Sequence, residues 1–307
     1  MKRPIIFSIP GYEHLQDALL DRLDADRGDV ERRQFADGER YQRLMQTVEG
    51  RQVILVGGTQ DDTSTLTLYD LACAITKYGA RRLQMVLPYF GYSTMERAVH
   101  SGEVVTAKAR ARLLSAIPPA SYGNSVFLLD LHSEGIPHYF EDGLTAIHVY
   151  AKTILTPVIS ALGGQNFVLG STDAGRAKWI ESLANDLGVD AAFIIKRRTQ
   201  DNQTRVTAMN ADVVGRTVVI YDDMIRSGGS LISAAATYKA AGAQNQIAVC
   251  THGVFTPGAY QRIVDSGLFD TILATDSHPN AVELQSDGLV LVETADLFAE
   301  HLALSFG

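Results

Sequence analysis

Cysteine and tryptophan are scarce in this chain, with two cysteines, Cys73 and Cys250, and one tryptophan in 307 residues. Two thiols so far apart, both in apolar segments, exclude a disulfide scaffold and a cysteine-rich metal module, and read as buried, reduced side chains. Long hydrophobic runs are missing as well. The opening "MKRPIIFSIPGYEHL" breaks its apolar run at Ser8 and Pro10, and no later stretch approaches the roughly 20 residues that cross a bilayer. Neither a signal peptide nor a membrane anchor is expected, and the expected location is the cytoplasm. Positive charge is not in excess: 27 Lys and Arg stand against 35 Asp and Glu, a net charge of −8. That balance argues against a non-specific binder of nucleic acid or anionic membrane, while leaving room for a local cationic patch. Small molecules are the expected partners. With 46% hydrophobic residues, nothing points to disorder, and the length suits one large domain or two of about 150 residues each.

What the chain does contain is a regular alternation of short apolar runs with helix-period segments. "PIIFSIP" precedes "EHLQDALLDRL", whose Leu15, Leu19 and Leu23 recur every four residues and line one helix face. "RQVILVGG", "RLQMVLPYFG" and "SVFLLDLHS" follow in the first half. "NFVLGSTDAG", "AAFIIKRR", "RTVVIYDD", "QIAVCTHGVF" and "DTILATDS" follow in the second. This is the pattern of a doubly wound α/β protein with parallel sheets. Each half holds about four strand-helix units, so a duplicated architecture is expected. The least patterned stretch, "FEDGLTAIHVY", places the expected domain boundary near Leu144, giving domains 1–144 and 145–307.

In open parallel sheets, ligands sit at the carboxyl ends of strands. "VVIYDDMIRSGGSL", Val218 to Leu231, lies at such an end. Gly228 and Gly229 let the backbone turn its amides inward, and the helix that follows adds positive potential, together making a nest for a phosphate. Ser227 and Ser230 add hydroxyl donors. Asp222 and Asp223 would repel a bare phosphate, so they are expected to face another part of the same ligand, such as sugar hydroxyls. A sugar phosphate satisfies both demands; a strand that merely ends in a polar turn is the alternative. "KRRTQDNQTRV" sets cations and flexible polar residues directly after a strand, as suits either a lid that closes over phosphates or a solvated hairpin. "ADGE", taken alone, is a turn signal.

The stretch 218–231 resembles the phosphoribosyl-binding signature of type I phosphoribosyltransferases and ribose-phosphate diphosphokinases, the phosphoribosyl-pyrophosphate synthetases. "FADGERY" at 35–41, "VLPYFGYSTMER" at 86–97, "LLDLHSEGIPHYF" at 128–140, "STDAGRAKW" at 171–179, "IIKRR" at 194–198 and "CTHGVF" at 250–255 resemble synthetase segments in the same order. The resemblance covers nearly the whole chain. It implies two tandem type I phosphoribosyltransferase-like domains, each a mainly parallel sheet flanked by helices. The implied reaction is Mg²⁺-dependent transfer of a diphosphoryl group from ATP to ribose 5-phosphate, giving 5-phosphoribosyl 1-diphosphate and AMP, chemistry that is mostly positioning and charge neutralisation.

By this resemblance Lys196 and Arg198 are the catalytic cations, and Asp222, Asp223, Arg226, Ser227, Gly228, Gly229 and Ser230 hold ribose 5-phosphate. Phe35, Asp37 and Glu39 serve the ATP site of a neighbouring subunit, with Arg97 also at the nucleotide, so a homo-oligomer is implied. His132 and Asp173 face the metal. Histidine is an unusual Mg²⁺ partner, and composition alone would make His132 a structural residue. Many relatives carry Arg-Gln-Asp before the position of Arg97, where this chain has "TME", and Arg226 stands where an aspartate is common. The combination is more like the plant-type class II synthetases, described as independent of phosphate and tolerant of several nucleoside triphosphates. A non-catalytic, synthetase-like regulatory protein and a type I phosphoribosyltransferase are the competing readings.

Overall fold

The computed structural model describes residues 2–172, 177–198, 204–209 and 211–303, with backbone alone at 177–178, 195–198, 204–209 and 286–287. It divides into two compact units, Met1–Tyr150 with Thr294–Gly307, and Ala151–Glu293.

Unit 1 is built on strands β1 (Ile5–Ser8), β2 (Asp26–Arg27), β5 (Gln52–Val56), β6 (Arg82–Leu87), β7 (Asn124–Leu129) and β8 (Leu144–Val149), in the spatial order β2-β1-β5-β6-β7-β8. Every neighbour pair in that sheet is parallel. The central strands are apolar on both faces because helices cover both: four of the five residues of β5 and five of the six of β6 are buried. Helices α1 (Glu13–Arg22), α2 (Asp62–Lys77) and α3 (Thr106–Ser115) make the crossovers. Asp61 caps α2, its Oδ1 accepting from Ser64 N–H at 2.7 Å. Between β2 and β5 the chain leaves the sheet as an antiparallel hairpin, β3 (Val30–Gln34) and β4 (Arg40–Leu44).

Unit 2 repeats this wiring. Strands β9 (Phe167–Ser171), β10 (Asp190–Ala192), β13 (Thr217–Ile225), β14 (Asn245–Gly253), β15 (Thr271–Thr275) and β16 (Val290–Val292) run in the order β10-β9-β13-β14-β15-β16. All these neighbours are parallel. An antiparallel hairpin, β11 (Ile194–Arg198) and β12 (Thr204–Met209), again leaves between the second and third strands. Helices α4 (Lys152–Gly163), α5 (Ala177–Leu187), α6 (Gly229–Ala240), α7 (Ala259–Asp265) and the short α8 (Pro279–Glu283) complete it. The buried core draws on Val168, Val218, Ile220, Leu231, Tyr238, Ala248 and Ile272. The two α/β halves expected from the alternating pattern are present.

The division of the chain differs from the 144/145 boundary read from sequence. β8 completes the first sheet, so the chain enters unit 2 only after Tyr150. The last helix, α9 (Ala295–Ala303), returns to unit 1, packing on α1 with Arg22 paired to Asp296. Cys73 is half-buried and Cys250 buried, both free thiols. No helix among the described residues is long and apolar enough to cross a membrane.

Candidate active site

In unit 2 the site gathers at the carboxyl ends of β9 and β13. β13 does not stop before the two aspartates, as its apolar run suggests, but continues through them to Ile225, because β14 offers ladder partners as far as Gly253. Asp222 and Asp223 are thus consecutive residues within that strand. Asp223 is buried, and Asp222 is half-buried. Asp222 Oδ2 accepts from the Thr172 hydroxyl at 2.8 Å, while Oδ1 accepts from Asp223 N–H at 3.0 Å. Behind the pair, burial and then the Asp222 charge push the Cys250 thiol well above its ordinary value, so it stays a neutral filler.

The loop after β13 exposes Arg226 and Ser227, and the first turn of α6 exposes Ser230. Gly228, at φ 77°, is the left-handed residue that starts α6 without any side-chain cap, so the first amides of the helix face outward unclaimed by a capping side chain. Glycine is required here twice over: the backbone is left-handed, and a Cβ would fall 2.6 Å from Ile263 Cγ1. The loop is held from below. Ile225 O accepts from Phe255 N–H at 2.9 Å, and Arg226 O accepts from Thr256 N–H at 3.0 Å. Asn280 Nδ2 in turn donates to Val254 O at 2.7 Å, bracing a turn in which Phe255 itself sits at φ 34°.

Beneath the carboxyl edge lies a buried hydroxyl network that sequence reading missed. Tyr221 and Thr251 hydroxyls meet at 2.8 Å, and Thr275 Oγ1 and Ser277 Oγ donate to Thr251 O at 2.6 and 3.1 Å. Ser277 Oγ also lies 2.9 Å from His252 Nδ1. Trp179 stacks on Tyr221 with ring centroids 3.8 Å apart. The signal was present in "CTHGVF" and "TDSHP", two polar clusters placed directly at strand ends.

In unit 1, His132 follows β7 through a tight turn. Asp130 is buried at φ 34°, and Leu131 N–H donates to His148 Nε2 at 2.9 Å. Burial holds the His148 imidazole below its ordinary value, which keeps Nε2 an acceptor. The segment carrying Arg97 is tied to the same corner, since the Tyr139 hydroxyl donates to Glu96 O at 2.6 Å. At its other end Tyr92, at φ 61°, donates to Asp62 Oδ1 at 2.6 Å beneath the Arg110 guanidinium. Arg97 itself is exposed, with Nε 3.4 Å from Glu96 Oε1.

The hairpin tip is a turn, as "ADGE" indicates. Gly38 takes φ 94°, Phe35 N–H donates to Glu39 O at 2.8 Å, and Asp37 Oδ1 accepts from Glu39 N–H at 3.0 Å. Phe35 is 51% exposed, a large apolar ring facing outward. Among the described residues the tip's hydrogen bonds stay within the hairpin. The structure thus brings Asp222, Asp223 and Arg226 to Ser230 together in unit 2, and the segments of His132 and Arg97 together in unit 1. Lys196 and Arg198 lie on β11, their side chains undescribed, and Asp173 lies outside the described residues. No three His, Cys, Asp or Glu side chains converge as a metal cage among the described residues.

Two parallel sheets of the same wiring, each with its hairpin, and an uncapped left-handed loop beside paired carboxylates define the class: a duplicated α/β enzyme fold of the phosphoribosyl type. The model of the N-terminal domain of ribose phosphate pyrophosphokinase matches residues 4–117, and that of the phosphoribosyl synthetase-associated domain matches residues 166–305. The chain is 32% identical over 300 residues to a ribose-phosphate pyrophosphokinase of Ralstonia nicotianae, covering 96% of this chain and 93% of the relative. It is 32% identical over 275 residues to one of Prochlorococcus marinus, covering 88% and 80%. The crystal structure of phosphoribosylpyrophosphate synthetase from Mycobacterium smegmatis superposes with a TM-score of 0.86 at 26% identity, covering 99% of each chain. The chain belongs to the ribose-phosphate pyrophosphokinase family.

Proposed function

We propose that the protein transfers the diphosphoryl group of ATP to the anomeric hydroxyl of ribose 5-phosphate, forming 5-phosphoribosyl 1-diphosphate and AMP. The observation that supports this most is the pairing of Asp222 and Asp223 with the uncapped Gly228 turn. The amides and hydroxyls of residues 227–230 receive the 5-phosphate, Arg226 adds a cation, and Asp222 and Asp223 take the sugar hydroxyls. The anomeric oxygen then forms a bond to the β-phosphorus as the bond to the α-phosphate oxygen breaks. AMP leaves with the electron pair, and the anomeric proton is lost. Lys196 and Arg198 oppose the charge that gathers on the transferring oxygens. His132 and Asp173 would face Mg²⁺, which would supply charge neutralisation when bound.

The exposed Phe35, with Asp37 and Glu39, serves the nucleotide of a neighbouring subunit, so the working form is a homo-oligomer. The two free thiols and the net charge of −8 suit a cytoplasmic enzyme of small substrates. The altered segment Thr94 to Arg97 favours the class II reading: a permissive donor site that needs no free phosphate. Purified protein should release AMP only when ATP, ribose 5-phosphate and a divalent cation are all present. ATP binding without AMP formation under any ionic condition would replace this reading with a regulatory one. ATP, GTP, CTP and UTP compared in phosphate-free buffer test the class; strict ATP selectivity with phosphate dependence would refute class II.

A further inference from the structure

One side chain outside the substrate loop ties together the backbone behind it. Tyr238 lies nine residues into α6, the helix whose first turn forms the phosphate cradle, and is fully buried. Its ring lies over Gly170 of β9, where a Cβ would stand 3.0 Å from ring and hydroxyl atoms alike. The bare glycine lets the hydroxyl reach the end of the strand. Ser171 N–H donates to it at 3.2 Å, and the hydroxyl donates towards Ala192 O at 2.9 Å and Ser171 O at 3.1 Å. β10 ends at Ala192, whose register partner is Gly170. Ser171 lies one residue beyond that pair, and there the Tyr238 hydroxyl meets both its backbone N–H and its carbonyl. Buried backbone groups require such partners. Burial also pushes the Tyr238 hydroxyl up, so it remains a donor at neutral pH.

The residue after Ser171 is Thr172, itself buried, whose hydroxyl donates to Asp222 Oδ2. We propose that Tyr238 is a positioning residue for ribose 5-phosphate: it fixes Ser171 and Thr172, Thr172 orients the Asp222 carboxylate, and α6 sets that carboxylate against the phosphate cradle. This rests on the reading of Asp222 and the α6 N-terminus as the sugar phosphate site. A helix is a stiff rod, and the nine-residue step from Gly229 to Tyr238 spans about 14 Å. One rigid element thus touches the phosphate end and governs the hydroxyl end of the same ligand, so the fit between them is set by the fold rather than by the ligand.

Tyr238→Phe keeps the ring over Gly170 and removes only the hydroxyl. It should raise KM for ribose 5-phosphate by roughly tenfold, a loss of alignment rather than of a contact, and leave KM for ATP unchanged. Thr172→Val should reproduce the shift, and the double variant should add little to either, because both act through one carboxylate. Ile272→Val, a truncation of the unit 2 core in β15, should lower Tm without moving either KM. A Tyr238→Phe protein that loses thermal stability yet keeps the parental KM for ribose 5-phosphate overturns the inference. Should that variant fail to fold, a parental KM in Thr172→Val overturns it equally. A parent that neither binds nor turns over ribose 5-phosphate overturns the functional reading, and this inference with it.

Discussion

Gly228 and Gly229 stand side by side in the loop proposed to hold ribose 5-phosphate and should respond oppositely to the same methyl group. At Gly228, φ is 77° and an added Cβ meets Ile263 Cγ1 at 2.6 Å and Cδ1 at 2.8 Å. Holding a non-glycine residue in the left-handed region costs about 1–2 kcal/mol. Forcing a methyl into a filled core adds about 1–3 kcal/mol, since Ile263 is fully buried and has little room to yield. Gly228→Ala should therefore lose about 2–5 kcal/mol, a fall in the urea midpoint of roughly 1–2.5 M at a slope of about 2 kcal/mol/M. At Gly229 the Cβ meets only Ser227 Oγ, at 3.8 Å, and the residue opens the helix. Gly229→Ala should leave stability unchanged or raise it by up to about 1 kcal/mol, the helix preference of alanine. Its methyl stands beside the phosphate cradle, however, so KM for ribose 5-phosphate should rise in both variants. Urea melts beside steady-state kinetics separate the two effects. Equal destabilisation by the two alanines, or none by Gly228→Ala, would refute the assignment of Gly228 to backbone strain and Ile263 contact.

Lys196→Ala should lower kcat by roughly a hundredfold or more, as expected when one electrostatic stabiliser is removed from a water-excluded site. Arg198→Ala should behave similarly, with the double variant less than multiplicative; near-parental turnover of Lys196→Ala would take β11 out of the mechanism. Asp222→Ala and Asp223→Ala should weaken ribose 5-phosphate use while sparing the ATP dissociation constant, and equal loss of both ligands would point to misfolding or another ligand. His148 predicts a pH effect. Its folded imidazole titrates below the ordinary 6.5 because of burial, so below 6.5 the unfolded chain takes up a proton that the native protein refuses. The stability His148 contributes is complete above 6.5 and is lost as pH falls from there through the lower folded value. His148→Gln keeps an acceptor for Leu131 N–H and removes the titration, so its urea midpoint should fall less than the parent's across that window; parallel curves would contradict the buried neutral imidazole.

The alternation of apolar runs and helix periods made the two parallel sheets legible, because strands buried on both faces carry almost nothing but Val, Ile and Leu. The turn at Gly228 was legible for a local reason: only glycine suits a left-handed helix start. The extent of β13 was not legible. Aspartate is depleted in strands, so Asp222 and Asp223 read as the end of one, and only the ladder to β14 carries the strand past them. Tyr238 and His148 were equally hidden. Each sits in an ordinary helical or strand position, and each matters because its polar atom bonds backbone at the end of another strand. Such a role depends on three-dimensional register, which spacing along the chain does not encode.

The return of α9 to unit 1 has a consequence for biosynthesis. α1 begins at Glu13 and its partner helix α9 at Ala295, so α1 leaves the ribosome well before the helix that packs on it. At about 5–20 residues per second, α1 waits roughly 15 to 55 s for α9, with the whole of unit 2 emerging in between. Unit 2 is a continuous stretch, whereas unit 1 lacks the helix that packs on α1 until α9 has been made. Any stalled or truncated chain that stops before Thr294 would carry a finished second half and a first half with one flank of α1 uncovered, a clear mark for the quality-control machinery.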